Sequence, residues 1–226
     1  MISFVLFACT QSSSDSIELD PVVVDMGELR FVVLGDAGTG SETQFAVADQ
    51  IKKSCLELGC DFALYLGDNF YDSGVDATDD PQFIDKFEQP YAELDFPFYA
   101  VLGNHDYGSI PNWEKPDPQV AYSEISEKWV MPSRYYALNS EHALFLGLDT
   151  NAILWDSVWG GVEDQASWVQ QQLSDTDRLW RIAFGHHPYI SNGQHGNAGN
   201  YDGTEDVPIV SGMDWKNFVE DQLCGK

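Results

Sequence analysis

Four short stretches of this chain place a metal-binding side chain directly after a glycine. They are Gly35-Asp36, Gly67-Asp68 with Tyr71 three residues on, Gly103-Asn104 followed by His105 and Asp106, and Gly185-His186 followed by His187. Carboxylate, carboxamide and phenol oxygens, joined by imidazole nitrogens, make a hard-to-borderline donor set. Such a set suits iron, zinc, manganese or magnesium rather than a soft metal. One Gly-Asp pair is ordinary turn chemistry. Four stretches of one form point instead to cations, and through them to an anionic substrate.

The form is shared because each glycine ends an apolar run. Phe31-Val32-Val33-Leu34, Phe62-Ala63-Leu64-Tyr65-Leu66, Phe98-Tyr99-Ala100-Val101-Leu102 and Ile182-Ala183-Phe184 precede the four glycines. Runs this uniformly apolar predict strands buried on both faces. A glycine lets the chain turn sharply at the strand end. The ligand residues are then left on loops at the carboxyl edge of a sheet, where open α/β sheets bind ligands. Between the first two runs, Ser41-x-x-Gln44 resembles a capping box. Phe45, Ala48, Ile51, Cys55 and Leu58 follow at helical spacing, and Gly59 closes the helix. This βαβ unit brings Asp36 and Asp68 to neighbouring strand ends. Residues 79–91 predict a second helix with Phe83, Ile84 and Phe87 inward. Residues 143–148 predict a strand ending in Asp149. Val162, Ala166, Val169 and Leu173 mark a helix, residues 179–184 the strand that delivers His186, and residues 214–223 a last helix.

These motifs resemble those of the calcineurin-like metallophosphoesterases, and among them the purple acid phosphatases of the small, tartrate-resistant type. That group carries Gly-Asp-x-Gly, Gly-Asp-x-x-Tyr, Gly-Asn-His-(Asp/Glu), a further His and a final Gly-His-x-His. The first three stand here in order, and Gly185-His186 fits the fourth. Tyr71 is the most specific element, since most other metallophosphoesterases lack it. No Gly-His-x-His occurs in the 226 residues. The resemblance covers Leu29 to the end of the chain. It implies an α/β fold, a two-sheet αββα sandwich of the metallophosphoesterase type, expected here to lack its C-terminal strands. Residues 29–226 are read as that domain, C-terminally incomplete.

The resemblance also implies roles. Asp36 and Tyr71 bind a first metal, Asp68 bridges the pair, and Asn104 and His186 bind the second. The centre is dinuclear, Fe(III) plus Fe, Zn or Mn, with its ions about 3.5–4 Å apart. The implied reaction is hydrolysis of phosphomonoesters by a metal-bound hydroxide, without a phosphoenzyme. His105 assists the leaving group, a role suited to imidazole, and Asp106 orients its ring. His195, in a Ser-Asn-Gly-Gln-His-Gly loop, is a candidate substrate contact. Asp149 is given no metal and is expected to hold loops. His142 is expected to be exposed. A phosphodiesterase or nucleotidase of the same superfamily is the alternative, as is a truncated or degenerate non-catalytic relative, because the last motif is missing.

Composition narrows the partners. Eleven basic residues against 37 acidic ones give a net charge of −26. Such a surface repels nucleic acid and anionic membrane; a small phosphorylated molecule is the substrate that the resemblance implies. Residues 1–28 are read as an export-signal-like segment and polar tether. Leu6-Phe7-Ala8-Cys9 resembles a lipobox, making Cys9 a candidate for lipid attachment. The expected location is outside the cytoplasm, secreted, periplasmic or lipid-anchored, with no integral membrane span. Cys55 and Cys60 form either a disulfide or two small buried hydrophobes.

Overall fold

The computed structural model describes residues 22–24, 28–109, 112–156, 160, 162–204 and 208–224. The export-signal and lipid-attachment reading of residues 1–20, Cys9 included, lies outside the described residues. The chain divides into two compact units. One is Glu28–Arg134; the other runs from Tyr135 onward and takes in the strand β1 (Val22–Val24).

In the first unit β2 (Phe31–Leu34), β3 (Phe62–Tyr65), β4 (Phe98–Ala100) and β5 (Trp129–Val130) lie side by side in that order, every pair parallel. Parallel strands in sequential order send their carboxyl ends to one edge. That edge carries Asp36, Asp68 and Asn104. The helix α1 (Glu42–Leu58) makes the crossover from β2 to β3. Its buried positions are Gln44 and Ala48, whereas Phe45 and Leu58 are exposed, contrary to the expected stripe. Gln44 explains the rotation. Its carboxamide donates to the Lys86 carbonyl at 2.6 Å and accepts the Gly40 N–H at 2.7 Å. With Gln44 turned inward, Phe45 lies about 100° round the helix. The Ser41 side chain makes no cap bond.

An aromatic cluster fills this unit. Phe87 meets Trp129 at 4.9 Å and Phe98 at 5.3 Å, ring centre to ring centre. Phe70, wholly buried, packs on Phe83 and Trp129. Phe70 follows Asp68 by two residues, so burying its ring, worth about 2 kcal/mol, also pins the loop that carries that carboxylate. The expected second helix is wound as a π-turn at Ile84–Glu88. Phe83 and Phe87 are buried one turn apart, while Ile84, beside Phe83, is exposed. A short helix not foreseen, α2 (Asp117–Tyr122), precedes β5.

The second unit holds the sheet β1-β6-β7-β8, with β6 (Tyr136–Ser140), β7 (Ala143–Gly147) and β8 (Trp180–Phe184). β6 and β7 form an antiparallel hairpin, and β8 runs parallel to β7. Val22–Val24 pairs with Leu138–Ser140. Part of the segment read as tether is therefore a strand, as three consecutive β-branched residues favour. Helices α3 (Thr150–Leu154), α4 (Val162–Ser174) and α5 (Met213–Phe218) cover the sheet. Their core joins Leu146, Ile153, Val169, Trp215 and Phe218. Among the described residues no helix is long and apolar enough to cross a membrane.

Candidate metal centre

The loops after β2 and β3 hold both aspartates in left-handed backbone, φ 55° at Asp36 and 53° at Asp68. A residue with a Cβ pays about 1 kcal/mol or more for that conformation. The surroundings impose it. The Asp36 N–H donates to the Gly67 carbonyl at 3.0 Å, Gly38 N–H to Asp68 O at 3.2 Å, and Tyr71 N–H to Gly38 O at 2.9 Å. Two glycines allow this lacing. A Cβ on Gly38 would run into the backbone of Asn69, and one on Gly103 into the amide and carboxylate of Asp68.

The lacing turns three oxygens toward one another. The Tyr71 hydroxyl lies 2.8 Å from Asp68 Oδ2 and 3.1 Å from Asp36 Oδ1, its one proton shared between them. One oxygen from each carboxylate lies within 4.8 Å of the other. Burial pushes the Tyr71 hydroxyl well above its ordinary pKa, and the neighbouring Asp68 and Asp36 push it further. Two carboxylates and a phenol on one point are what a hard cation requires.

Asn104 opens the single turn His105–Tyr107 at the end of β4. The His105 N–H donates to Asp68 Oδ1 at 2.9 Å, and its ring lies 4.5 Å from that of Tyr71. His105 Nδ1 is 2.6 Å from the carbonyl oxygen of Asp72. A carbonyl only accepts, so Nδ1 carries the proton and Nε2 is left to act, 4.0 Å from Asp68 Oδ2. The ring is thus oriented by Asp72 O, not by Asp106 as the sequence suggested.

Asp106 has a different task. It is wholly buried and accepts N–H bonds from Gly103 at 2.8 Å, Asn69 at 3.0 Å, Phe70 at 3.2 Å and the Gln119 carboxamide at 3.0 Å. Burial pushes its carboxyl up to about 6; the Gly103 N–H pulls the other way, and the charge of Asp68 adds to the rise. His105, its neighbour in sequence, faces the site, while Asp106 faces inward, tying the Asp68 loop to the Asn104 loop. Gln119, also wholly buried, completes the tie by accepting from Asn69 Nδ2 at 3.1 Å. Gln119 carries no motif in the sequence.

The remaining predicted residues belong to the second unit. His186 follows β8, its ring 5.0 Å from that of His187. His187 is half-buried, with Nδ1 2.7 Å from Thr150 Oγ1. Burial, then the adjacent His186, lowers its pKa well below the usual imidazole value. Asp149 is buried and caps α3 through the N–H groups of Asn151 and Ala152. His195 Nδ1 lies 2.9 Å from Asp202 Oδ1, a partner the sequence reading missed. His142 is exposed beside Glu141.

Residues 29–215 match the family model for calcineurin-like phosphoesterases. The chain belongs to this family. It has the family's α/β fold with two sheets. It is 32% identical over 197 residues to tartrate-resistant acid phosphatase type 5 of Mus musculus, which covers 74% of this chain and 58% of the relative. It is 33% identical over 201 residues to purple acid phosphatase 3 of Arabidopsis thaliana, covering 79% and 53%. The chain thus spans little more than half the length of these curated relatives. A solved structure, "GAP50 the anchor in the inner membrane complex of Plasmodium", superposes with a TM-score of 0.61 at 24% identity, covering 80% of this chain and 62% of that one. That likeness is one of fold.

Proposed function

We propose that this calcineurin-like phosphoesterase hydrolyses small phosphomonoesters, as an acid phosphatase does, at a pair of metal ions. The Tyr71 hydroxyl placed between Asp36 and Asp68 carries the reading, because a tyrosine at this position sets the purple acid phosphatases apart from other metallophosphoesterases. Following the motifs, Asp36 and Tyr71 would hold one ion, Fe(III). Asp68 would serve both, and Asn104 and His186 the other, Fe, Zn or Mn. When bound, the pair supplies positive charge for the phosphoryl oxygens and acidifies a water.

The protein's own part is positional. Asp106 and Gln119 hold the ligand loops together. His105, its Nδ1–H engaged by Asp72 O, keeps Nε2 for the proton transfer: in the imidazolium form Nε2–H passes its proton to the departing oxygen, and the ring returns to the neutral Nδ1–H tautomer. Cationic ions at the site offset the repulsion that a chain of net charge −26 exerts on a phosphate. The bonded pair Cys55–Cys60 supports a location outside the cytoplasm. A second reading is a non-catalytic relative that binds metal weakly; the solved structure that shares the fold is that of an anchor in a membrane complex.

The test is reconstitution of the purified chain with iron and zinc. Metal content, the visible spectrum and turnover of p-nitrophenyl phosphate are then measured. We expect two metals per chain and a visible phenolate-to-iron band that Tyr71→Phe abolishes. Metal and band without turnover support the second reading. Neither metal nor band after reconstitution defeats both.

A further inference from the structure

We propose that Asp202 is a positioning residue for His195, fixing the imidazole so that Nε2 is presented to the phosphate group of the substrate. The proposal rests on the phosphoester reading above. Its structural part stands on the second unit alone.

The two residues are joined twice. The Asp202 N–H donates to the His195 carbonyl at 2.9 Å, and the His195 Nδ1 lies 2.9 Å from Asp202 Oδ1. The first bond closes the segment between them into a compact loop. The second settles the tautomer, since an ionised carboxylate only accepts. Nδ1 therefore carries the hydrogen, and the lone pair is on Nε2. Side-chain exposures of 67% for His195 and 61% for Asp202 leave that nitrogen open to a ligand.

The loop is built to hold this pair. Tyr201, next to Asp202, is buried, its hydroxyl donating to the Pro188 carbonyl, and Gly212 packs flat on its ring. Ala198 N–H donates to Tyr189 O at 3.0 Å, and Asn197 Oδ1 accepts the Ser191 N–H at 2.8 Å. Asp202 itself stands in left-handed backbone at φ 51°. Glycine would be the relaxed choice for a mere turn there. An aspartate at that position keeps a side chain that the backbone disfavours, and that side chain ends on His195. A carboxylate that orients a histidine through Nδ1–H is a recurrent device for committing Nε2 to substrate or metal.

The experiment uses the zinc-loaded 226-residue chain, long-range 1H–15N correlation spectra of the histidine side chains, and inorganic phosphate as probe. His195→Ala assigns the signals. Asp202→Gly removes the acceptor while suiting the backbone. Asp202→Asn keeps an acceptor oxygen in place. We expect His195 in the parent to be the Nδ1–H tautomer and its Nε2 signal to move as phosphate is added. Asp202→Gly should lose the Nδ1–H pattern and weaken the phosphate response about tenfold, and Asp202→Asn should restore both. An unchanged tautomer in Asp202→Gly overturns the positioning role. A settled tautomer with no phosphate response overturns the presentation to substrate. Absence of p-nitrophenyl phosphate turnover in the parent counts against the phosphoester reading alone, because the tautomer and the phosphate response are read without turnover.

Discussion

Replacing Gly103 by alanine should damage both the fold and the site, with little contribution from backbone preference. Gly103 does not lie in the left-handed region, so alanine meets no conformational penalty there. The added Cβ would fall 2.9 Å from Asp68 Cα and closer still to the Asp68 amide and carboxylate. Carbon atoms rest about 3.5–4.0 Å apart, so relief needs a shift of close to 1 Å. The atoms in the way are mostly backbone, which cannot swing aside. Overpacking of this kind costs about 1–3 kcal/mol. The shift also disturbs the Gly103 N–H bond to Asp106 at 2.8 Å and the His105 N–H bond to Asp68 at 2.9 Å, each worth about 1 kcal/mol. The sum is a loss of about 3–5 kcal/mol, read as a lower urea midpoint at unchanged slope. Gly203→Ala is the control. Its φ is 70° with nothing within 4 Å of the new Cβ, so it should cost only about 1 kcal/mol and leave metal binding intact. The reasoning is refuted if Gly103→Ala loses less than Gly203→Ala, or binds zinc as tightly as the parent.

Three further expectations concern the same elements. Asp106 has its carboxyl pushed up to about 6 from 3.8, so the folded chain holds that proton more tightly than the unfolded one. Its stabilising share is full below pH 3.8 and fades as pH climbs toward 6. In chelator-treated protein the stability of the parent relative to Asp106→Asn should therefore fall over that range, by an amount on the order of 3 kcal/mol; a difference that stays flat rejects the assignment. Tyr71→Phe should lower metal affinity by at least about tenfold in zinc titrations while shifting the metal-free urea midpoint little, since the ring keeps its place. Cys55 and Cys60 close a loop across a sequence separation of 5, so the doubly Cys→Ser chain should lose about 2 kcal/mol, and equal melting of the two proteins would contradict it.

What the sequence disclosed and what it concealed divide along a physical line. The strand ends were legible because uninterrupted apolar runs before Gly-Asp and Gly-Asn have few other readings. They foretold that β2 and β3 lie side by side through a βαβ crossover, and the structure brings Asp36, Asp68 and Tyr71 together there. Side-chain direction was less legible. Asp106 sits beside His105 in sequence, yet the turn His105–Tyr107 sends the two side chains to different surroundings. Phe45 and Ile84 resemble core residues in type and spacing. Gln44 in one case and Phe83 with Phe87 in the other determine which stripe turns inward. Asp202 and Gln119 act across several residues or across elements, where no local pattern marks them.

The division of the proposed donors between the two units has a consequence in time. Asp36, Asp68, Tyr71 and Asn104 all fall within Glu28–Arg134, a continuous stretch with its own four-stranded sheet and aromatic core. His186 is encoded 52 residues beyond Arg134. At ribosomal speeds of about 5–20 residues per second, roughly 3–10 s separate the two. The oxygen donors of the proposed centre are therefore synthesised before its proposed imidazole. If the first unit folds before the second is made, it presents two converging carboxylates without an imidazole, a donor set suited to a hard cation.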